Sequence, residues 1–252
     1  MTRSFERNSQ QMRPIKIEIG VNRYAEGAVI INFGHTRVLC TCTVEGGVPP
    51  FQLEKGEGWA TAEYAMLPRS THTRSRRDRK GSIGGRTMEI QRLIGRSLRS
   101  VLDLSALQGF TLTIDCDVLQ ADGGTRTASI TGAFVAMAIA CKALYSSGKI
   151  SRNPIKDNVA AVSLGILADK VNLDLDYEED FAADVDLNLV MTGTGQIVEV
   201  QGTAEGEAFT IEQLNQMLEL GSEGIQRLCK LQNQVIETIS DSTKVANFEI
   251  DC

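Results

Sequence analysis

A glycine-rich loop carries the residues whose types and spacing most clearly suit chemistry. The segment 122–132 (Asp-Gly-Gly-Thr-Arg-Thr-Ala-Ser-Ile-Thr-Gly) joins a predicted strand, Thr111–Val118, to a predicted helix, Ala128–Leu144. Two adjacent glycines let the backbone approach a ligand closely. Arg126 offers a planar fork of donors and the helix N-terminus offers backbone N–H groups, which together suit a bound phosphate. Hydroxyl groups are available at Thr125, Thr127 and Ser129. We therefore predict a phosphate site at this loop.

A second guanidinium group comes from Arg86, which begins a predicted helix, Arg86–Leu102, after a pair of glycines. Two arginines that converge on one anion would fix its orientation and lower its repulsion toward another phosphate. The loop lacks the Gly-Lys-Ser/Thr ending of a kinase or ATPase phosphate loop. Gly81–Gly85 resembles a dinucleotide fingerprint only loosely and follows no predicted strand.

Histidine is nearly absent, since the chain contains only His35 and His72. This scarcity argues against Ser-His-Asp or Cys-His catalysis and against a zinc site. Any catalysis must then depend on arginine, aspartate and hydroxyl groups. Phosphoryl transfer can proceed with these groups because much of it is positioning and charge stabilisation.

An acidic cluster in the second half of the chain is the other candidate for chemistry. A predicted strand, 184–192, places Asp184 and Asp186 on one face, and Asp180 in the preceding loop could fold back beside Asp186. Two carboxylates held together can share a proton or bind a divalent cation. Such density costs self-repulsion unless cations or a substrate offset it. An acidic, solvated hairpin is the alternative. The acids of the cluster are Asp174, Asp176, Glu178, Glu179, Asp180, Asp184 and Asp186.

A basic segment between Arg69 and Lys80 contains five arginines, one lysine and a single acid, Asp78. A local patch of this kind can attract a polyanion although the whole chain has a net charge of −6. A solvated surface loop is the alternative. Three further arginines form a stripe on the predicted helix 86–102, for which a solvated face, a subunit contact and an RNA-facing wall all remain open; these are Arg92, Arg96 and Arg99.

Apolar periodicity predicts an α+β protein in which each half has strands followed by helices. The predicted strands span residues 14–20, 28–33, 37–44, 59–66, 111–118, 159–167, 171–176, 184–192 and 196–202. A tight turn is expected at Gly34-His35 and a loop at 48–57. Two helices are predicted near the C-terminus, one capped by Thr210 and the other by Ser222. The linker 146–158 divides the chain into halves 1–146 and 147–252.

Composition favours a globular protein of a reducing compartment. Of the 252 residues, 42 % are hydrophobic and 23 % charged, as in ordinary globular chains. The six cysteines show no CxxC spacing and are expected to be buried free thiols, which fits the cytoplasm. We expect no membrane association, because no apolar run reaches the ~20 residues of a bilayer span and residues 1–13 lack a signal-peptide core.

Four long motifs then identify a resemblance that covers nearly the whole chain. The sequence resembles the ribonuclease PH family, which comprises phosphate-dependent 3′→5′ exoribonucleases related to polynucleotide phosphorylase and the exosome ring subunits. The motifs that carry this resemblance are Met66–Arg69, Gly85–Arg96, Asp115–Gly132 and Glu199–Gly206.

The resemblance implies a fold with a ribosomal protein S5-like half (1–146), which holds the phosphate loop and the basic RNA loop, and a smaller α/β half (147–252) with the catalytic aspartates. It implies a homohexameric ring, a trimer of dimers, that acts as a tRNA nucleotidyltransferase on the 3′ ends of tRNA precursors. By position, inorganic phosphate, the co-substrate, would bind Arg86, Gly124, Thr125 and Arg126. Asp180 and Asp186 would be catalytic and would hold Mg²⁺. The RNA-binding residues would be Arg69, Arg74, Arg76 and Arg77.

The expected reaction is phosphorolysis, in which phosphate attacks the last phosphodiester bond and releases a nucleoside 5′-diphosphate. Asp186 could protonate the departing 3′-oxygen or, with Asp180, hold a metal ion that stabilises it. The reverse addition of nucleotides is expected at low phosphate. Two rival functions remain: a non-catalytic RNA-binding scaffold, and a hydrolytic nuclease that uses the acidic cluster and a metal ion.

Overall fold

Two β-sheets and five α-helices form the part of the chain described by this computed structural model, residues 3–77, 83–239 and 246–250. The first sheet has the strand order β10-β1-β2-β3-β5-β4, and its neighbours are antiparallel except for the parallel pair β4/β5. Its strands are β1 (Ile15–Ile19), β2 (Gly27–Phe33), β3 (Thr36–Gly46), β4 (Trp59–Met66), β5 (Phe110–Gln120) and β10 (Ala246–Ile250).

The second sheet is antiparallel throughout and has the order β7-β6-β8-β9. Its strands are β6 (Val159–Leu167), β7 (Lys170–Leu173), β8 (Val185–Thr192) and β9 (Ile197–Ala204). The helices are α1 (Pro50–Leu53), α2 (Gly85–Ser100), α3 (Thr125–Ser146), α4 (Tyr177–Ala182) and α5 (Ile211–Thr238). This arrangement confirms the predicted α+β class. The division at residue 146 stays a prediction, and β10, near the C-terminus, runs along β1 of the first sheet.

Alternation of apolar residues explains the first sheet. In β1, the isoleucines at 15, 17 and 19 are buried while Lys16 and Glu18 are half-buried. The predicted turn between β2 and β3 is confirmed, and Gly34 adopts a φ of +54° there, a conformation that favours glycine.

Helix α3 is the central helix of the core. It contacts β2 and β3 of the first sheet and β6 of the second, and its small side chains are buried on nearly all sides. By length and composition it could cross a membrane, but 83 % of its most apolar window is buried inside the protein, as in the core helix of a globular protein. The helix begins at Thr125, three residues before the predicted start at Ala128, because Gly124 turns the chain with a φ of +63°.

The prediction of two C-terminal helices is wrong, because α5 is one helix of 28 residues. The capping box of Thr210 and Gln213 is confirmed at its start. Ser222, however, lies inside the helix and caps nothing. The neighbouring glycine, Gly221, is a packing residue: a Cβ there would lie 2.7 Å from a Leu189 methyl group and 3.0 Å from one of Leu164. The lack of a side chain at Gly221 lets α5 approach the second sheet closely.

Two local elements also differ from the predictions. The predicted strand 171–176 ends early, at Leu173, because Asp174 turns the chain with a φ of +57°, and α4 follows immediately. The predicted loop 48–57 contains one helical turn, α1. The five cysteines within the described residues are free and buried, as expected; they are Cys40, Cys42, Cys116, Cys141 and Cys229.

Candidate active site

The glycine loop lies directly against the turn that precedes α4. A Cβ on Gly123 would be 2.6 Å from the carbonyl oxygen of Leu175 and from the carbonyl carbon of Asp176, so no side chain fits there. On the other side of the loop, the Thr36 hydroxyl donates to the Gly123 carbonyl at 2.6 Å and accepts from the Asp122 N–H at 2.9 Å. These contacts fix the loop backbone at the N-terminus of α3.

The hydroxyl groups of the loop differ from the sequence-based expectation. Thr127 donates to the Gly124 carbonyl at 2.9 Å, Ser129 donates to the Thr125 carbonyl at 2.8 Å, and both side chains are buried. They satisfy the helix and are not directed to a ligand, because short polar side chains readily bond backbone carbonyls nearby. Gly124, the N-cap residue, has no side chain to cap the first-turn N–H groups of α3.

Tyr64, which sequence analysis did not single out, supports Thr125. Its phenol donates to the Thr125 hydroxyl oxygen at 2.9 Å from β4, beneath the start of α3. Burial raises the pKa of Tyr64, while the hydrogen bond to Thr125 and the charges of Arg86 and Arg126 oppose the rise. The phenol therefore keeps its proton and holds Thr125 in place.

Two arginines approach the loop from different elements. Arg126, in the first turn of α3, donates to Gln201 of β9 at 2.6 Å and pairs with Glu89 of α2 at 3.3 Å. Arg86, in the first turn of α2, is exposed and has no hydrogen bond or ion pair with the residues that the structure describes. Burial raises the pKa values of Asp180 and Asp186, and the charges of both arginines oppose that rise. The arginines and the aspartates therefore lie together.

The two aspartates come from neighbouring elements and repel one another. Asp180 lies on α4, and Asp186 lies on β8 opposite Gly165 and Thr203. Burial, followed by the charge of Asp180, raises the pKa of Asp186 to about 6. Burial also raises the pKa of Asp180, although the nearby arginines oppose that rise. A carboxyl group with a pKa near neutrality can donate as well as accept a proton.

Glu205 is a third acid of this group that sequence analysis did not assign. It follows β9, its backbone N–H donates to the Asp184 carbonyl at 3.0 Å, and its charge raises the pKa values of Asp180 and Asp186. The signal was present in the motif Glu199–Gly206, which contains it. Asp184 itself is exposed beside the site.

Most of the remaining acidic cluster is paired with arginines. Asp174, Asp176 and Glu179 are buried and contact arginines from the N-terminal segment of the chain. The predicted self-repulsion of the cluster is therefore offset at these three positions by side chains of the protein itself. Within residues 3–77 and 83–239, no group of three or more acidic, histidine or cysteine side chains has a geometry that could hold a metal ion.

The four predicted RNA-binding arginines, Arg69, Arg74, Arg76 and Arg77, are exposed. Arg69 donates to the His72 carbonyl at 2.8 Å, and the His72 ring contacts the ring of Tyr177, on α4, with centroids 5.9 Å apart. This contact places the start of the basic segment beside the helix that carries Asp180. The rest of that segment, 78–80, lies outside the described residues.

The arginine stripe on α2 has partners within the fold at two of its three positions. Arg96 pairs with Glu199 of β9 at 3.0 Å. Arg99 lies over the ring of Trp59 at 4.6 Å and donates to the Ala60 carbonyl at 2.9 Å. Both positions therefore make intramolecular contacts, although Arg96 is exposed, and Arg92 is a second exposed arginine of the stripe.

Comparison with known proteins gives one consistent result. Residues 11–143 match the model of the 3′ exoribonuclease family, domain 1, and residues 157–224 match that of domain 2. Ribonuclease PH from Moorella thermoacetica is 54 % identical over 248 residues, which is 98 % of this chain and 99 % of that protein.

Solved structures show the same fold at lower identity. Rice Rrp46 superposes with a TM-score of 0.75 at 19 % identity, over 93 % of this chain and all of that chain. The exosome of Archaeoglobus fulgidus with RNA bound to the active site gives a TM-score of 0.76 at 21 % identity, over 90 % of this chain and 91 % of that chain.

Proposed function

The chain belongs to the 3′ exoribonuclease family and is a phosphorolytic 3′→5′ exoribonuclease, and we propose that its reaction takes place between Arg86, Arg126 and the two aspartates. Inorganic phosphate is its co-substrate. The observation that supports this location most strongly is that the charges of two arginines, one from α2 and one from α3, act on the carboxyl groups of both aspartates beside a glycine-lined helix N-terminus.

In this proposal, phosphate is held by the guanidinium groups of Arg86 and Arg126 and by the backbone N–H groups of residues 124–126. One phosphate oxygen attacks the phosphorus of the terminal phosphodiester. The bond between that phosphorus and the 3′-oxygen of the preceding nucleotide breaks. A nucleoside 5′-diphosphate leaves, and the shortened RNA retains a 3′-hydroxyl group. The two arginines are needed because both reactants are anions that repel each other.

Asp186 either donates a proton to the departing 3′-oxygen or helps to hold a metal ion that stabilises the negative charge on it. Its pKa of about 6 leaves a protonated fraction near neutral pH, so it can act as a general acid. With Asp180 it also offers the hard oxygen ligands that Mg²⁺ prefers, and Mg²⁺ commonly uses one or two carboxylates together with substrate phosphates. The donor set thus fits Mg²⁺, which when bound would stabilise negative charge on the leaving oxygen.

We further propose that the substrates are tRNA precursors and that the protein works as a cytoplasmic homohexameric ring, a trimer of dimers. The proposed RNA-binding surface is the exposed basic segment, which contacts α4 through the rings of His72 and Tyr177. Its arginines are Arg69, Arg74, Arg76 and Arg77. Support comes from the 54 % identical relative, named ribonuclease PH, and from the similar fold of the Archaeoglobus fulgidus exosome with RNA bound to the active site.

Two rival functions predict different products. A non-catalytic scaffold is disfavoured because the arginines and aspartates are all present and assembled. A hydrolytic nuclease would need a metal ion but no phosphate. We expect RNA to be shortened only when phosphate is added, with nucleoside diphosphates as the products. Monophosphates would favour the hydrolase, and intact RNA would favour the scaffold. Arg126→Ala should lose most of this activity, while Arg227→Ala, which changes a partly exposed arginine on α5, serves as the matched control.

A further inference from the structure

We propose that Arg3, Arg7 and Arg13 are positioning residues that hold the phosphate loop and the aspartate-bearing helix α4 in one fixed geometry. This inference rests on the proposed function, because it concerns the two sides of that reaction site. We call these arginines, together with Asp174, Asp176 and Glu179, the N-terminal clamp.

Arg13 is the member of the clamp that contacts both sides of the site. Its side chain is completely buried, and its guanidinium group donates to both carboxylate oxygens of Asp174, at 2.7 Å and 2.9 Å. It also donates to the carbonyl of Asp122, the residue directly before the two glycines of the phosphate loop. A Cβ on Gly124 would lie 3.1 Å from this guanidinium group, so Arg13 lies directly beneath the loop.

The other side of the clamp is the strained turn that leads into α4. Asp174 has a φ of +57°, which is unfavourable for a residue with a side chain, and it is held there by Arg13. Arg3 donates to the carbonyls of Leu173 and Asp174 at 2.7 Å and 3.3 Å, and Arg7 donates to the Asp174 carbonyl at 2.8 Å. All three arginines therefore bind this turn.

The clamp arginines also contact helix α4 directly. Asp176 and Glu179 form its capping box, and Glu179 also accepts from Arg3 at 2.5 Å and from Arg7 at 3.1 Å. Asp180 follows Glu179, and its backbone N–H donates to the Asp176 carbonyl at 2.9 Å. The position of Asp180 relative to the phosphate loop is thus set through the turn that the clamp binds.

The arrangement provides geometry that a six-residue helix could not supply alone. Short helices are marginal without tertiary support. Buried ion pairs contribute little net stability over apolar packing, but removal of one partner leaves a charge unpaired. A displacement of about 1 Å at a catalytic group can cost ~100-fold in rate. The clamp therefore affects catalysis by fixing the positions of the phosphate loop and Asp180. We do not expect its arginines to contact phosphate or RNA.

Variants on the two sides of the clamp test this role. Arg13→Lys keeps the charge but cannot bridge Asp122 and Asp174 with a planar fork, so we expect the phosphate KM to rise at least ~10-fold and kcat to fall by a similar factor. Arg3 contacts the α4 side and the carbonyls of Asn8 and Gln11 but has no hydrogen bond to residues 122–126 of the phosphate loop. For Arg3→Gln, kcat should therefore fall ~10-fold per folded molecule while the phosphate KM changes less than ~2-fold. Arg3→Lys should restore part of that kcat.

The matched control is Leu144→Ala, which removes a buried side chain near the far end of α3, roughly 30 Å along the helix from Thr125. It should lower the thermal midpoint without a change in the phosphate KM. The positioning role is overturned if folded Arg13→Lys and Arg3→Gln keep both wild-type constants, or if Leu144→Ala raises the phosphate KM equally. If Arg13→Lys does not fold, the Arg3 variants decide. If the wild-type protein itself releases no nucleoside diphosphate, the proposed function fails instead.

Discussion

The protein contains two neighbouring sets of arginines and carboxylates that use the same chemistry in opposite ways. In the N-terminal clamp, every carboxylate contacts an arginine, and all three carboxylates are buried. In the proposed reaction site, Arg86 has no ion pair with the described residues, and the charge of Asp180 raises the pKa of the neighbouring Asp186. The clamp is electrostatically complete, whereas the reaction site is not.

The pKa values of the carboxyl groups differ between the clamp and the proposed reaction site. Burial alone would raise the pKa of Asp174, but the charge and hydrogen bonds of Arg13 lower it below the usual value. At Asp186, burial and the charge of Asp180 outweigh the arginines, and the pKa rises to about 6. The paired arginines and carboxylates of the clamp therefore have a structural role. The unpaired charges of the proposed reaction site are the ones that a ligand would balance.

The largest expected effect is the loss of turnover in Arg126→Ala. We expect a ~100- to 1000-fold fall in nucleoside diphosphate release, because a preorganised donor to the transferred phosphate is removed. Initial rates over a series of phosphate concentrations would measure the effect. Arg227→Ala should match the wild type, and wild-type rates in Arg126→Ala would contradict the assignment of the site.

On the clamp side, Asp174→Asn should cost stability. The change leaves the buried Arg13 without its counter-charge, which typically costs about 3–5 kcal/mol. Denaturant unfolding would measure the loss against Asp103→Asn, whose carboxylate pairs with the exposed Arg152. A loss no greater than in that control would remove the distinction between the two sets.

At the reaction site, Asp186→Asn should have the opposite effect on stability while abolishing activity. The native pKa of Asp186, about 6, exceeds the ordinary value of 3.8, so between these values the folded protein binds a proton that the unfolded chain does not. Wild-type stability should therefore increase as the pH falls from about 7 toward about 4.

The Asn variant should lack this contribution and should melt about 2–4 °C higher at pH 7.5, as expected for a gain of about 1 kcal/mol. Thermal melts in EDTA and without phosphate would measure both effects. A lower melting temperature than wild type at pH 7.5 would place Asp186 among the structural acids.

The smallest effect concerns the basic segment. Each single-strand phosphate contact contributes a slope of about −0.7 to the plot of log affinity against log salt. Arg76→Ala and Arg77→Ala should each reduce that slope by about this amount, because both side chains are exposed and free to meet RNA. Fluorescence titrations with a labelled RNA would show it, and an unchanged slope would identify the segment as a solvated loop.

Local sequence patterns predicted most of the fold and indicated charged residues that the structure places near one another. The glycine loop, the strand alternation and the capping box at Thr210 are local signals, and the structure follows them. The motifs contain Arg86 and Arg126, and the acidic cluster contains Asp180 and Asp186; the charges of the two arginines act on both carboxyl groups in the structure.

Two of the failures come from tertiary contacts that no local pattern encodes, and a third comes from local bonds to the backbone. Arg13 meets Asp174 across 161 residues of sequence, so nothing in the spacing indicates the clamp. Gly221 and Ser222 look like a helix boundary, but the boundary is absent because the glycine packs against the second sheet. The sequence suggests that the hydroxyl groups of Thr127 and Ser129 can bind a ligand, but in the structure they donate hydrogen bonds to backbone carbonyls.

A crystal structure of the RNA-free protein soaked with inorganic phosphate would show where phosphate binds. We expect one anion within about 2.7–2.9 Å of the Arg126 guanidinium group and close to the Thr125 backbone N–H, and none at Arg3, Arg7 or Arg13. A loop without an anion at a phosphate concentration that saturates turnover, or an anion bound to the clamp arginines, would contradict the proposed location of the reaction.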